Sequence, residues 1–224
     1  RVFNEKTNTR GISRKDAFDI KYLDQFQAEE IQYIGNLSVN NSCFYREYVL
    51  GEDSPEMRAT SMIISQALQQ PFFTEMRTNQ QLGYIVWSYA RNRDETHYLT
   101  FVIQSGAFTA DDVNQRADDF IATTPEFLSS MDGETFQQLK DSAIEQLEKK
   151  PMSIGERANK LKAFIFEYDA DFLRDEKTIV ALKALEQVSA VDLLSKTVGT
   201  DSRRMANFLM FAEQHKNTTG MKSS

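Results

Sequence analysis

Pro71-Phe72-Phe73-Thr74-Glu75-Met76-Arg77-Thr78-Asn79-Gln80-Gln81-Leu82-Gly83-Tyr84-Ile85-Val86 passes from a helical pattern, through a polar corner and a glycine, into a β-rich run. Upstream, Met57, Ile63, Ile64, Ala67 and Leu68 recur at helical spacing. They follow Ser54-Pro55-Glu56, which offers a hydroxyl cap, a proline where no amide bond is lost and an acid near the positive end of the dipole. Pro71 is expected to interrupt that helix and start a second, short one through Phe72, Phe73 and Met76 toward Arg77. Downstream, Tyr84 to Ala90 and Tyr98 to Ser105 are strand-like, and the polar residues 91–95 between them suit a hairpin.

Working outward, Ile31 to Leu50 is rich in β-branched and aromatic residues and reads as one or two strands, the clearer being Cys43 to Leu50. Asn40 and Asn41 punctuate it. Beyond Gly106 the pattern turns helical for nearly a hundred residues. One helix begins at Thr109-Ala110-Asp111-Asp112 and another at Asp132-Gly133-Glu134, closed by Pro151. Others are expected over 153–166, 176–185 and 189–197. Met205 to Ala212 reads as a returning strand. Strand, helices, hairpin, helices, strand is the order of an α+β fold, a mostly antiparallel sheet with helices packed on one face. Residues 1–30 read as a linker or arm from a preceding domain, with a short amphipathic turn around Phe18, Tyr22, Leu23 and Phe26. Residues 31–212 form the domain, and 213–224 a tail frayed from Thr218 onward.

A chain of 224 residues with 41% hydrophobic and 26% charged residues can bury a sizeable core. Its net charge of -7 argues against nucleic-acid binding, which draws its affinity from clustered lysine and arginine. No run is long and apolar enough to cross a membrane, so neither nucleic acid nor membrane is an expected partner. The single cysteine, Cys43, forms no internal disulfide, and cytosol and bacterial periplasm both remain open as compartments. The start at Arg1, without methionine, suggests processing or truncation.

No self-contained catalytic apparatus emerges. A zinc hydrolase needs two or three histidine or carboxylate ligands and a general base. The only histidines, His97 and His215, are far apart and in neither H-E-x-x-H nor H-x-x-E-H, so no metal site is expected in this chain. His97 reads as a surface or hydrogen-bonded strand residue, Cys43 as a small buried hydrophobe, and Asp111-Asp112 and Asp118-Asp119 as solvated helix faces. Nucleophile-elbow, P-loop and dinucleotide fingerprints are absent.

That leaves the corner. Gly83 permits a backbone turn closed to other residues, so Tyr84 can enter the sheet while Arg77 stays on the helix above. A guanidinium and a phenol converging there suit a carbonyl oxygen gaining negative charge. On the residues alone, an arginine capping carbonyls and a tyrosine ring in the core is the stronger explanation of both.

The run closely resembles the R-T-x-[EQ]-Q-L-G-Y-x-V signature of insulinase/pitrilysin (M16) zinc metallopeptidases, in their C-terminal, non-zinc domain. The match is contiguous, and Pro71-Phe72-Phe73 and the Asn41-Ser42-Cys43 strand resemble the family in order too. The resemblance is sharp from about 41 to 105 and diffuse to about 211. It implies four similar α+β domains closing like a clamshell around a peptide substrate. Zinc would sit on the N-terminal catalytic half of the same protein, and Arg77 and Tyr84 would hold the substrate backbone and stabilise the tetrahedral oxyanion. The chain alone would be inactive and would hold no cofactor, with zinc in the full-length enzyme. Gln80 departs from the commoner glutamate, which puts any ion pair made by that acid in doubt. An alternative is a non-catalytic binding or scaffold subunit of the same superfamily. A third reading, a helical interaction module over 109–199, would lack a mixed sheet. An apolar face is expected where a neighbouring domain packs, offering the isolated chain a surface for self-association.

Overall fold

The computed structural model describes residues 30–93 and 95–216. The expected arm, its amphipathic turn and the tail beyond residue 216 lie outside them.

Five strands form one mixed sheet: β1 (Glu30–Asn36), β2 (Ser42–Glu52), β3 (Ile85–Arg93), β4 (Thr96–Ser105) and β5 (Met205–Phe211). Their order is β1-β5-β2-β4-β3, so the last strand of the chain inserts between the first two. Only β1 with β5 is parallel; the remaining pairs are antiparallel. This sheet removes the purely helical reading of 109–199.

Alternation along the strands decides which face is covered. Phe44, Tyr48, Val86, Leu99, Phe101, Ile103, Leu209 and Phe211 are buried on one face. On the other, register aligns Tyr33, Phe208, Tyr45, Val102 and Trp87 across all five strands, and Tyr33 and Trp87 remain exposed. Among the described residues, helices cover the first face alone.

Those helices are α1 (Pro55–Phe73), α2 (Ala110–Ser130), α3 (Gly133–Glu148), α4 (Ile154–Phe166), α5 (Arg174–Ala184) and α6 (Gln187–Val198). The side chains of Ser54, Thr109, Asp132 and Ser153 each accept a backbone N–H in the first turn, as their sequence context predicts. Ile63, Ile64, Leu68 and Phe72 of α1 are fully buried. At about 1.5–3 kcal/mol per large apolar side chain, burial outweighs what propensity contributes to this helix.

Pro71 does not end α1. The helix runs through it to Phe73 and then widens into a π-helical turn, Thr74–Asn79. A proline removes one i→i−4 bond and crowds the preceding turn, but the burial of Phe72 and Met76 on either side of the widened segment holds the axis continuous. The N–H of Gln80 then donates to the Glu75 carbonyl at 3.0 Å.

Of the expected solvated pair Asp118-Asp119, Asp119 is exposed as expected, and the reading needs correcting at Asp118. Arg46, on the covered face of β2, is 2% exposed and pairs with Asp118 of α2. Its other N–H groups donate to Asn207 Oδ1 at 3.2 Å and Asn114 Oδ1 at 2.8 Å. A buried guanidinium requires such a partner, so Asp118, its side chain still 38% exposed, is the counter-charge at the rim of the sheet–helix interface.

Candidate functional site

The corner between the π-helical turn and β3 brings Arg77 and Tyr84 together. The Arg77 guanidinium lies 4.6 Å from the centroid of the Tyr84 ring and 5.4 Å from that of Phe73, and it donates to the Tyr84 carbonyl. Tyr84 is 82% exposed, so its ring is not a core ring. Among the described residues, the other N–H groups of Arg77 have no protein hydrogen-bond partner, and neither has the Tyr84 hydroxyl. The site therefore presents a cation and a phenolic donor side by side at the free edge of the sheet, since β3 is the terminal strand.

The geometry of the turn differs from the expectation at Gly83. The left-handed residue is Gln81, with φ of 52°, whereas Gly83 has no positive φ. Gly83 is required for a different reason. A Cβ there would sit well inside van der Waals contact of the Gln104 carbonyl oxygen, 2.8 Å from its carbon and 3.3 Å from Ser105 Cα. These are backbone atoms of β4 and cannot rotate away. Gly83→Ala is expected to lower stability by about 1–3 kcal/mol or more through overpacking, with the start of β3 displaced from β4. Urea unfolding midpoints of the two proteins check this; a change of only a few tenths of a kcal/mol would contradict it.

Gln80 supports the corner in a way a glutamate could not. Its amide nitrogen donates to Glu75 Oε1 at 2.9 Å while its carbonyl oxygen accepts from Arg116 at 3.0 Å. Hydrogen bonds from Gln80 first, and from Asn79, hold the Glu75 carboxyl below its ordinary value. Gln80→Glu replaces that donor with a second carboxylate, so the Glu75 titration is expected to move upward. Carboxyl-detected NMR titration measures the shift.

A second polar cluster, invisible to motif search, lies under the helices. Asp53 accepts from Arg58 Nε at 2.9 Å and from both terminal nitrogens of Arg174 at 2.7 and 2.9 Å. His97 Nε2 is 2.7 Å from the same carboxylate, and His97 Nδ1 is 3.0 Å from Ser61 Oγ. Burial would raise the Asp53 carboxyl, but the hydrogen bonds from His97, Arg58 and Arg174 outweigh it and hold the group well below the usual carboxylate range. The sequence Ser61–His97–Asp53 has hydrolase-like connectivity without hydrolase chemistry. Two guanidiniums already neutralise the carboxylate that would have to stabilise an imidazolium, and Ser61 Oγ is also within 3.0 Å of the Arg58 carbonyl. His97 is thus a buried, hydrogen-bonded residue of the structural network.

Metal donors do not gather anywhere in this cluster. Among the described residues no group of three or more His, Cys, Asp or Glu side chains could hold a metal ion. The residues present do not fit zinc: His97 is fully engaged by Asp53, Asn92 and Ser61, and His215 lies in a short 3-10 turn at Glu213–His215. Cys43 is half-buried on the helix-free face, and burial pushes its thiol up, away from a reactive thiolate.

Residues 63–162 match the family model described as PQQ synthase PqqF-like, C-terminal lobe domain 4. The A-factor-processing enzyme of Saccharomyces cerevisiae is 25% identical over 162 residues, covering 72% of this chain and 16% of that protein. The insulin-degrading enzyme of Drosophila melanogaster is 25% identical over 177 residues, covering 78% of this chain and 18% of that protein. The chain therefore spans less than a fifth of the length of these relatives. The crystal structure of pitrilysin has the same fold over 88% of this chain and 21% of its own, with a TM-score of 0.74 and 21% identity.

Proposed function

We propose that this chain, whose residues 63–162 match a PqqF-like C-terminal lobe model and whose relatives include the insulin-degrading enzyme, is a C-terminal-lobe domain of an insulinase/pitrilysin (M16) zinc metalloendopeptidase and a wall of its peptide-binding chamber. In this reading the zinc and its general base sit on the N-terminal half of the same protein. This domain contributes Arg77 and Tyr84. The guanidinium holds the substrate backbone, and guanidinium and phenol together donate to the oxygen that becomes negative when water attacks the peptide carbonyl.

The observation that carries the reading is the stacked, outward-facing pair at the free edge of the sheet. The contact of Arg77 with the Tyr84 ring and carbonyl fixes the orientation of its guanidinium before substrate arrives. Preorganised donors of this kind accelerate reaction because they do not have to reorient as charge develops. Peptide fits the partner expected of the helix-free face, where aromatic rings and Arg91, Glu47 and Tyr45 lie side by side.

The neighbouring part of the protein has a surface to pack on. Met152, Ile154, Phe166 and Leu173, in and around α4, are exposed, and α4 buries only Phe164. Docking of the rest of the protein there removes these exposed apolar side chains from water, and the isolated chain would self-associate through them.

The test is the complete polypeptide. An upstream H-x-x-E-H, stoichiometric zinc and hydrolysis of peptides small enough to enter a closed chamber are expected. A complete protein without that motif, without zinc and without peptidase activity would instead be the scaffold subunit of the same superfamily.

A further inference from the structure

The turn Thr74–Asn79 that carries Arg77 has a π register, closed where the Gln80 N–H donates to the Glu75 carbonyl at 3.0 Å. In an α-helix, side-chain neighbours stand three and four residues apart, and residues five apart do not face each other. Here the side chains of that same pair also meet, with Gln80 Nε2 donating to Glu75 Oε1 at 2.9 Å. Asn79 Nδ2 donates to the other carboxylate oxygen at 2.7 Å. The pairing of Glu75 with Gln80 therefore exists in the π register and is lost in the α register.

Register decides aim. A slip of one residue back to the α form turns everything that follows by about 100° around the helix axis. Arg77 lies inside the slipping segment and Tyr84 just beyond it, and Met76 is the turn's one buried side chain. Such turns are rare and occur mostly at functional sites, so what holds this one in place bears on the site.

Arg116 supplies the hold. From α2, its Nη1 donates to Gln80 Oε1 at 3.0 Å, while the amide nitrogen of Gln80 faces Glu75. The amide is thus aligned between a cation on its oxygen and an anion on its nitrogen, and each bond strengthens the other. Among the described residues no carboxylate forms an ion pair with Arg116. Its guanidinium rests 5.0 Å from the centroid of the Phe108 ring, and the Phe108 N–H donates to Ser105 Oγ at 2.9 Å. Gly83 packs on the backbone of Gln104 and Ser105. Both sides of the corner are therefore fixed to the end of β4, Gly83 directly and Gln80 through Arg116 and Phe108.

We propose that Arg116 is a positioning residue of the Arg77–Tyr84 site: through Gln80 it locks the π register of the turn and so sets the direction in which the pair faces a peptide. The effect on turnover rests on the proposed peptidase function, whereas the lock itself does not.

Amide hydrogen exchange read by NMR tests the lock. Arg116→Met keeps an apolar stem on Phe108 and removes the donors. Protection of the Gln80 and Leu82 amides, which donate to the Glu75 and Met76 carbonyls, is expected to fall about tenfold or more, with Phe101 in β4 and Ile121 in α2 unchanged. Gln80→Leu should give the same local loss and the double variant no further loss, because the two side chains act as one unit. Arg116→Lys retains a donor and should restore most of the protection. In the complete protein, Arg116→Met should lower kcat about 10- to 100-fold with little change in KM, the cost of misplaced donors. Unchanged protection at Gln80 and Leu82, additive losses in the double variant, or an equal fall across β4 and α2 would overturn the proposal. So would wild-type turnover in Arg116→Met where Arg77→Ala is impaired. Wild-type turnover in both, beside the local loss of protection, would count against the peptidase role of the corner and leave the lock supported. If Arg116→Met does not fold, Arg116→Gln, which is too short to reach Gln80, takes its place.

Discussion

Asp53→Asn is expected to cost about 3–5 kcal/mol of folding stability, the loss typical of leaving buried charge without its partner. The carboxylate receives Arg58, Arg174 and His97 at once, and all four side chains are largely buried. An asparagine at this position keeps one acceptor and turns an N–H₂ group toward guanidinium donors. Two cations then remain under the helices with no counter-charge. Against the 5–15 kcal/mol that holds a typical domain together, this loss leaves little margin. Urea unfolding of the variant should show a much lower midpoint with an unchanged slope. A loss under about 1 kcal/mol would mean that water reaches the two arginines and that the cluster is not a structural knot.

The same network sets a pH dependence with a definite sign. Asp53 titrates lower in the folded chain than in the unfolded one, where a carboxyl has a pKa of about 3.9. Its contribution is therefore complete above the unfolded value and disappears as pH falls through the folded one. Acid unfolding of the wild type should be steep below about pH 4, and shallower in Asp53→Asn, which has no carboxyl to protonate there.

How much of this could be read from residues alone depends on how local the cause is. Helices that begin on a capping side chain, at Ser54, Thr109, Asp132 and Ser153, are legible because the cap and the first turn are adjacent in sequence. Helices α5 and α6 have no side-chain cap on Leu173 or Glu186, and reading them from Glu176 and Ser189 starts each two residues late. The helix through Pro71 reverses a local rule because tertiary burial of Phe72 and Met76 overrides it. Gly83 is readable as necessary but not why: the clash that forbids a side chain is with Gln104, on another strand. The Asp53 cluster is not legible at all. Its members Arg174 and His97 stand 121 and 44 residues from Asp53, and only the folded sheet and helices unite them. Ser61 and Arg58, by contrast, could be suspected as polar intrusions into the apolar stripe of α1.

On the proposed function, Arg77→Ala in the complete protein is expected to lower kcat by about 10²–10³-fold, the effect of removing one preorganised donor from a developing oxyanion. The alanine variant also loses the contacts with Tyr84 and Phe73, so a fall in rate on its own does not separate catalysis from misplacement. Tyr84→Phe makes the separation. It retains the ring on which the guanidinium rests and the backbone carbonyl that orients it, and deletes only the hydroxyl. If the phenol donates in the transition state, kcat and kcat/KM fall together while the unfolding midpoint stays where it was. If Tyr84 serves only to position Arg77, Tyr84→Phe turns over like the wild type and Arg77→Ala raises KM. Arg77→Lys completes the set: a lysine keeps the charge but not the fork, so partial rescue measures the share of the effect that is electrostatic rather than geometric. Wild-type turnover in both Arg77→Ala and Tyr84→Phe would remove these residues from the chemistry and leave the corner as a folding element alone.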